Sequence, residues 1–225
     1  MKLLAIDTTE DACSAALWLD GEHRERFEIA PRRHSELILP MMQALLDDAG
    51  LSLTQLDALA FARGPGAFTG LRIASSVIQG VSFGADLPVV PVSSLQALAQ
   101  DAWSAHGRAA VLSAFDARMN EVYWGAYRLD ARELMRPQIA EAVVAAGEVE
   151  VPGGTDWCGA GSGWQAYGDV LAQRCAPGHG VFSEALVHAR AVAAVAAALF
   201  HEGAAVAAEH ALPVYLRDQV AWAKR

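Results

Sequence analysis

Apolar and polar positions fall in blocks along the chain, and each block predicts an element. Leu3–Ile6 is a continuous apolar run closed by an acid, which predicts a strand over Leu3–Asp7 buried on both faces. Cys13–Leu19 predicts a second strand, the Asp20-Gly21 pair a tight turn, and Glu22–Ile29 a returning third strand, so the opening is an antiparallel meander. From His34 the period changes: Leu37, Ile38, Met41, Met42, Leu45 and Leu46 recur at helical spacing until Gly50 stops them. Pro40 lies inside this stripe and is expected to kink the helix or to mark its true start. Leu56–Arg63 predicts the next strand. The glycine loop Gly64–Gly70 follows, then a helix carrying Leu71, Ala74, Val77, Ile78 and Val81. Pro88–Val92 reads as a short strand, and Ser93 or Ser94 as the cap of a helix running through Trp103.

Gly107 marks a boundary, because Ala109–Phe115 and Glu121–Leu129 open a second run of strands. Thr155–Ala160 predicts another strand, followed by a glycine turn, a helix from Trp164 and a long alanine helix from about Ser183. Two halves that each open with strands suggest a duplicated, degraded α/β architecture, divided into residues 1–106 and 107–225.

Of the 225 residues 53% are apolar and 19% charged, which places the chain among globular proteins and far from the disordered range. The net charge of −9 excludes a chain that binds nucleic acid by itself, since that requires a basic face to displace phosphate counterions. A local basic cluster exists in Arg24, Arg26, Arg32 and Arg33, with His23 and His34. Glu22, Glu25, Glu28 and Glu36 interleave with it, so it reads as a solvated strand edge and turn. Cys13, Cys158 and Cys175 are scattered and form no CxxC pair, which fits buried thiols in a reducing compartment. The chain enters its first strand without a signal-peptide pattern, and its longest apolar run, Ala191–Phe200, is too short to span a membrane. A cytoplasmic location is expected.

The densest motif is Gly64-Pro65-Gly66-Ala67-Phe68-Thr69-Gly70-Leu71-Arg72, between a strand and a helix, where backbone amides and the helix dipole can hold an anion. It lacks the Gly-Lys-Ser/Thr of a Walker loop, and a tight turn explains it as well. Gly70 and Ala74, then Gly80 and Gly84, fall four apart and leave a smooth stripe for another helix, in the core or at an interface. Asp7-Thr8-Thr9 closes the first strand where an acid can reach phosphate-bound magnesium, but Glu10 and Asp11 follow and would repel a polyanion. Asp116-Ala117-Arg118-Met119-Asn120-Glu121 occupies the equivalent point of the second half without a glycine, and reads as a hairpin pinned by Asp116 and Arg118. Gly161-Ser162-Gly163-Trp164-Gln165-Ala166 fits GxGxxA, with Glu184 downstream, yet too few residues follow for a dinucleotide fold. No histidine pair, HExxH or nucleophile elbow is present.

Taken together, Leu4-Ala5-Ile6-Asp7-Thr8-Thr9, Arg33-His34-Ser35-Glu36, Gly64 to Ile73, Asp116-Ala117-Arg118 with Glu121-Val122-Tyr123, and Pro213-Val214-Tyr215-Leu216-Arg217 resemble the bacterial TsaB (YeaZ) family over nearly the full length. Thr9 stands where that family often has serine. The resemblance implies the actin-like/sugar-kinase ATPase fold in two ribonuclease-H-like halves. It implies a non-catalytic role beside TsaD in making N6-threonylcarbamoyladenosine at position 37 of ANN-reading tRNAs. ATP and magnesium would sit on TsaD, a small TsaE-type ATPase would join, tRNA would bind only within the complex, and the chain alone would form a homodimer. The partner interface maps onto the two early helices, with His34, Met41, Met42, Leu45, Gly70, Ile73, Ala74, Val77 and Ile78 as candidates. Asp7, Thr8, Thr9, Gly64, Gly66 and Asp116 map onto a vestigial nucleotide site with no metal and no catalytic residue. The rival readings are an ATP-dependent phosphotransferase, with Asp7 and Asp116 on magnesium, and a metalloprotease-like hydrolase.

Overall fold

The computed structural model describes residues 1–154 and 156–217. The meander forms as read: β1 (Lys2–Asp7), β2 (Ala12–Leu19) and β3 (Glu22–Ile29). Helix α1 (His34–Ala49), β4 (Ala58–Gly64), α2 (Phe68–Ala85), β5 (Val89–Ser93) and α3 (Ser94–His106) complete the first half. Its sheet has the order β3-β2-β1-β4-β5, antiparallel across the meander and parallel from β1 to β5. The second half holds β6 (Ala110–Asp116), β7 (Glu121–Leu129), β8 (Met135–Pro137), β9 (Ala142–Ala145), β10 (Cys158–Ala160), α4 (Ser162–Cys175), β11 (Val181–Phe182) and α5 (Ala189–His201). Its main path runs β11-β10-β6-β7-β8, with β9 also paired to β7. Read from β8, this repeats the order and directions of the first sheet, with β8, β7, β6, β10 and β11 in the places of β3, β2, β1, β4 and β5. The fold is therefore two ribonuclease-H-like halves, the α/β architecture of the actin-like/sugar-kinase ATPase superfamily.

The sheets divide near Gly107, but the helices do not. Helix α3 lies against β6, β7 and β8 of the second sheet, whereas α5 crosses back onto β1, β2, β4 and β5 of the first. Both helices are thus sandwiched between the sheets, in one core that draws on both halves. Alternation along β1 and β4 explains the fit. Ala5, Ala58, Ala60 and Ala62 face the alanine-rich α5, while the bulkier Leu4, Ile6, Leu59 and Phe61 face α1 and α2 on the outer side. Small against small lets α5 approach closely; the outer layer is filled by large side chains. A separate cluster joins α4 to the outer face of the second sheet.

Several boundaries differ from the sequence reading, each for a local reason. Helix α1 starts at His34 and runs through Pro40, which is exposed, so the proline does not mark its start. Helix α5 starts at Ala189, later than Ser183, because its first amides are capped from the other half: Ala189 N donates to Ser14 Oγ at 3.0 Å and Arg190 N to Glu25 Oε1 at 3.1 Å. The short strands β8, β9 and β11 carry too few residues to show a period. The basic cluster is a paired, solvated edge: Arg26 pairs with Asp48, and Arg33 with Glu28 at 3.0 Å. Cys13 and Cys158 are free and buried, with burial pushing their thiols up to about 12 and about 11. Among the described residues no helix is long and apolar enough to cross a membrane.

Candidate functional site

Two regions carry the residues that the sequence singled out: a cleft of about 810 Å³ between the halves, and the outer face of α1 and α2. The cleft forms where the ends of β1 and β6 meet the starts of α2 and α4. On the first wall the glycine loop is folded onto the β1–β2 turn. A Cβ on Gly70 would stand 1.9 Å from the Thr8 carbonyl oxygen, and one on Gly66 would stand 2.6 Å from that of Thr9. Thr8 Oγ1 donates to Gly70 O at 2.8 Å, and Ala67 N donates to Thr9 O at 2.7 Å. The loop therefore serves close backbone packing, and its Ala67 amide is already engaged. Gly64 adopts a positive φ of 109° beneath the Val214 carbonyl, so the C-terminal Pro213–Arg217 segment returns to the first half. There Val214 N donates to Arg63 O at 2.8 Å, Tyr215 packs on Phe68, and Arg217 pairs with Glu121 across the cleft.

Asp7 is completely buried. Thr9 Oγ1 donates to its Oδ1 at 2.7 Å, and its Oδ2 has no partner. Burial outweighs the Thr9 bonds and pushes Asp7 up to about 7. Asp116 holds the opposite wall, accepting from Arg118 N at 2.8 Å and Tyr167 Oη at 3.1 Å and pairing with the Arg118 guanidinium at 2.8 Å. This is the hairpin pinned by Asp116 and Arg118 that the sequence implied. Gly161 and Gly163 press the start of α4 onto Ala114, where added Cβ atoms would stand 2.4 Å and 2.8 Å away. The GxGxxA match is thus a packing turn, and Glu184 is exposed. A magnesium nucleotide of the kind the fold family binds does not fit these residues: Asp7 is sealed, the Ala67 amide is taken, and Glu10 and Asp11 line the space. Among the described residues no three His, Cys, Asp or Glu side chains converge as metal ligands.

The outer helix face sorts the interface candidates. His34 is buried; its Nε2 lies 2.9 Å from Glu10 O and 3.2 Å from Ala12 O, so it carries the proton and pins α1 to the β1–β2 turn. Met42, Leu45, Gly70, Ala74 and Ile78 are also buried, in the core beneath α1 and α2 or against Thr8, and are unavailable as partner anchors. Met41, Ile73 and Val77 remain partly exposed. The small-residue stripe divides in the same way: Gly70 and Ala74 face inward, whereas Gly80 and Gly84 look onto open space. Beside them stand Leu39 and Phe83, exposed by 49% and 85%, apolar side chains that the chain's own core does not use.

Comparison with known proteins agrees with this architecture. The family model described as "TsaD: tRNA N6-adenosine threonylcarbamoyltransferase" matches residues 28–225. The tRNA threonylcarbamoyladenosine biosynthesis protein TsaB of Escherichia coli K12 is 44% identical, the match covering 100% of this chain and 98% of that protein. The chain belongs to the TsaB (YeaZ) family. The Haemophilus influenzae TsaB protein is 38% identical over 100% of this chain and 97% of its own. The solved structure of YeaZ from Pseudomonas aeruginosa superposes with a TM-score of 0.90 at 45% identity, over 96% of this chain and 99% of that one.

For this TsaB-family chain, the residues that sequence reasoning missed are Leu39, Phe83 and Glu10. Leu39 and Phe83 break the buried stripe of their helices, and that departure was a legible signal. Glu10 gave no such signal. It reads as one more turn acid, yet Ser162 Oγ donates to it at 2.6 Å from a point 152 residues away.

Proposed function

We propose that the chain is the non-catalytic scaffold of a TsaD-type ATPase in threonylcarbamoyl transfer to adenosine 37 of ANN-reading tRNAs. It docks through the outward face of α1 and α2, with Leu39, Met41, Ile73, Val77 and Phe83 as contacts and Gly80 and Gly84 permitting close helix approach. ATP and magnesium reside on that partner, a TsaE-type small ATPase joins the pair, and tRNA is bound only by the assembly. Alone in the cytoplasm the same face closes a homodimer. One contrast carries this reading: the glycines of the cleft are packed on backbone and its acids Asp7, Glu10 and Asp116 are held by Thr9, Ser162 and Arg118, while apolar side chains of the two helices stand in solvent. The names of the full-length relatives support the pathway.

The test is a reconstituted transfer assay in which this chain is omitted in one arm and the TsaD-type protein in the other. Loss of product in both arms, with no ATP consumed by this chain alone, is the expected result. Product or ATP turnover without TsaD would establish a working phosphotransferase site in this chain and overturn the scaffold reading.

A further inference from the structure

The cleft that does not fit a magnesium polyphosphate is lined by carboxyl groups from both halves: Glu10 and Asp11 in the β1–β2 turn, Asp116 at the end of β6 and Glu184 after β11. Among the described residues the one cation lining it is Arg118, and Asp116 holds that guanidinium at 2.8 Å. Acids at a surface are by themselves only a solvated patch, but Glu10 is different. Ser162 Oγ donates to its Oε1 at 2.6 Å, while Oε2 is buried without a partner. A hydroxyl has one proton, and the Ser162 oxygen already accepts the Asp116 amide at 3.2 Å, so Ser162 has nothing further to offer. The other groups around this carboxyl are Asp7, Asp11 and Asp116; the Tyr167 hydroxyl is directed to Asp116, and His34 Nε2 to the Glu10 backbone oxygen. The carboxyl therefore lacks a counter-charge. Apolar side chains stand between the acidic walls: Ile29 and Phe68, exposed by 64% and 55%, with Tyr123 beside them. Acids on two walls with apolar surface between them match a chain of methylenes carrying several ammonium groups, and the lack of a metal-ligand cluster among the described residues favours such an organic cation over a metal ion.

We propose that the cleft binds an alkyl polyamine, with its ammonium groups between the acids of the two walls and its methylenes on Ile29, Phe68 and Tyr123. Contact with the buried Oε2 is not required, because a charge held away from water is felt strongly through the protein. Burial, more than the neighbouring acids, pushes Glu10 up to about 8, so at pH 7 and without a cation beside it the acid keeps its proton. A cation seated in the cleft favours the ionised form, so binding expels that proton. The inference is independent of the scaffold role, since it concerns the chain by itself.

Titration calorimetry of the full chain with spermidine at pH 7, in two buffers of unlike ionisation enthalpy, reads affinity and released protons together. Binding with release of up to about one proton is expected, and weaker binding at pH 6. Glu10→Gln, a neutral isostere, should abolish the release and weaken binding. Asp11→Asn and Glu184→Gln, at exposed positions of the cleft, should each weaken binding by about two- to fivefold and keep the release. Circular dichroism checks that each variant is folded. The site is overturned if spermidine does not bind, if it binds without proton release, or if affinity and release are unchanged in Glu10→Gln. An equal response to magnesium chloride at the same ionic strength overturns the polyamine assignment.

Discussion

The two strand-to-helix junctions, β4 to α2 and β10 to α4, occupy equivalent places in the two halves and solve one packing problem with different sequences. In the first, Gly66 and Gly70 let the start of α2 sit on the carbonyls that follow β1; in the second, Gly161 and Gly163 let α4 sit on Ala114 near the end of β6. Both glycine sets bring a helix start into close contact with a neighbouring strand end. Each marks where a helix start meets the end of its half's central strand, so a glycine-rich junction reports close backbone approach before it reports a ligand. The junctions also differ in reach. The first adds a buried acid, Asp7, and the second contributes Ser162 to the facing half.

The largest effect that tests this comparison is at Gly70. A methyl group there meets the Thr8 carbonyl at 1.9 Å, a backbone atom that cannot rotate away. Gly70→Ala is expected to destabilise the chain by about 4 kcal/mol or more, measured as a fall in the denaturant midpoint. Asp7 comes next and acts through pH. Its folded-state pKa is raised from 3.8 to about 7, so the folded state binds the extra proton. The stability this provides is full below about 4, declines as pH rises toward 7, and is flat beyond. At roughly 1.4 kcal/mol per pH unit the decline approaches about 4 kcal/mol as an upper bound. Asp7→Asn keeps an acceptor for Thr9 and should remove its share of the slope, leaving that of Glu10, raised from 4.5 to about 8; a slope unchanged in unfolding curves between pH 4 and 9 would place the proton elsewhere. Gly161→Ala, at φ +102° and 2.4 Å from the Ala114 carbonyl, should cost about 2–3 kcal/mol. If Gly161→Ala proves neutral, the two junctions are not the same device.

Much of the first half was legible because its strands and helices keep a clear period: β1 to β5 and α1 to α3 lie within a few residues of the pattern. What stayed hidden is where elements pack. Helix α3 looks half polar in sequence, yet Ser94 to Ala102 are all buried. Gln96, Gln100 and Asp101 find partners in the other half: Gln96 Nε2 donates to Met135 O at 2.8 Å, Gln100 Oε1 accepts from Met135 N at 2.9 Å, and Asp101 pairs with Arg190 at 2.9 Å. Partners so distant along the chain leave no local trace, and the α3/α5 exchange between sheets has no periodic signature. The same holds for the candidate interface. Helical spacing found the apolar residues of α1 and α2 and sets Leu39 and Phe83 off the stripe, but which of the two apolar faces is buried is fixed only by the sheet beneath.

Helix α2 therefore offers the finest comparison, between its two faces. Ile78→Glu places a charge in the core and should prevent folding, whereas Phe83→Glu should shift stability by less than about 0.5 kcal/mol. On the scaffold reading Phe83→Glu nonetheless abolishes co-purification with the TsaD-type partner. A small change of the opposite sign is expected at Gly80 and Gly84, whose added Cβ atoms would meet nothing within 4 Å. Inside a helix, glycine leaves more backbone entropy to be lost than alanine does, so Gly80→Ala and Gly84→Ala should each raise stability by about 0.5–1 kcal/mol in thermal unfolding. If the partner's helix packs directly on these glycines, the same stabilising changes hold it off by a methyl group and weaken the complex. A variant that is more stable alone and poorer in binding would locate the contact on this stripe. Unchanged binding would move the contact to Leu39 and Phe83 and leave the glycines as an unused surface.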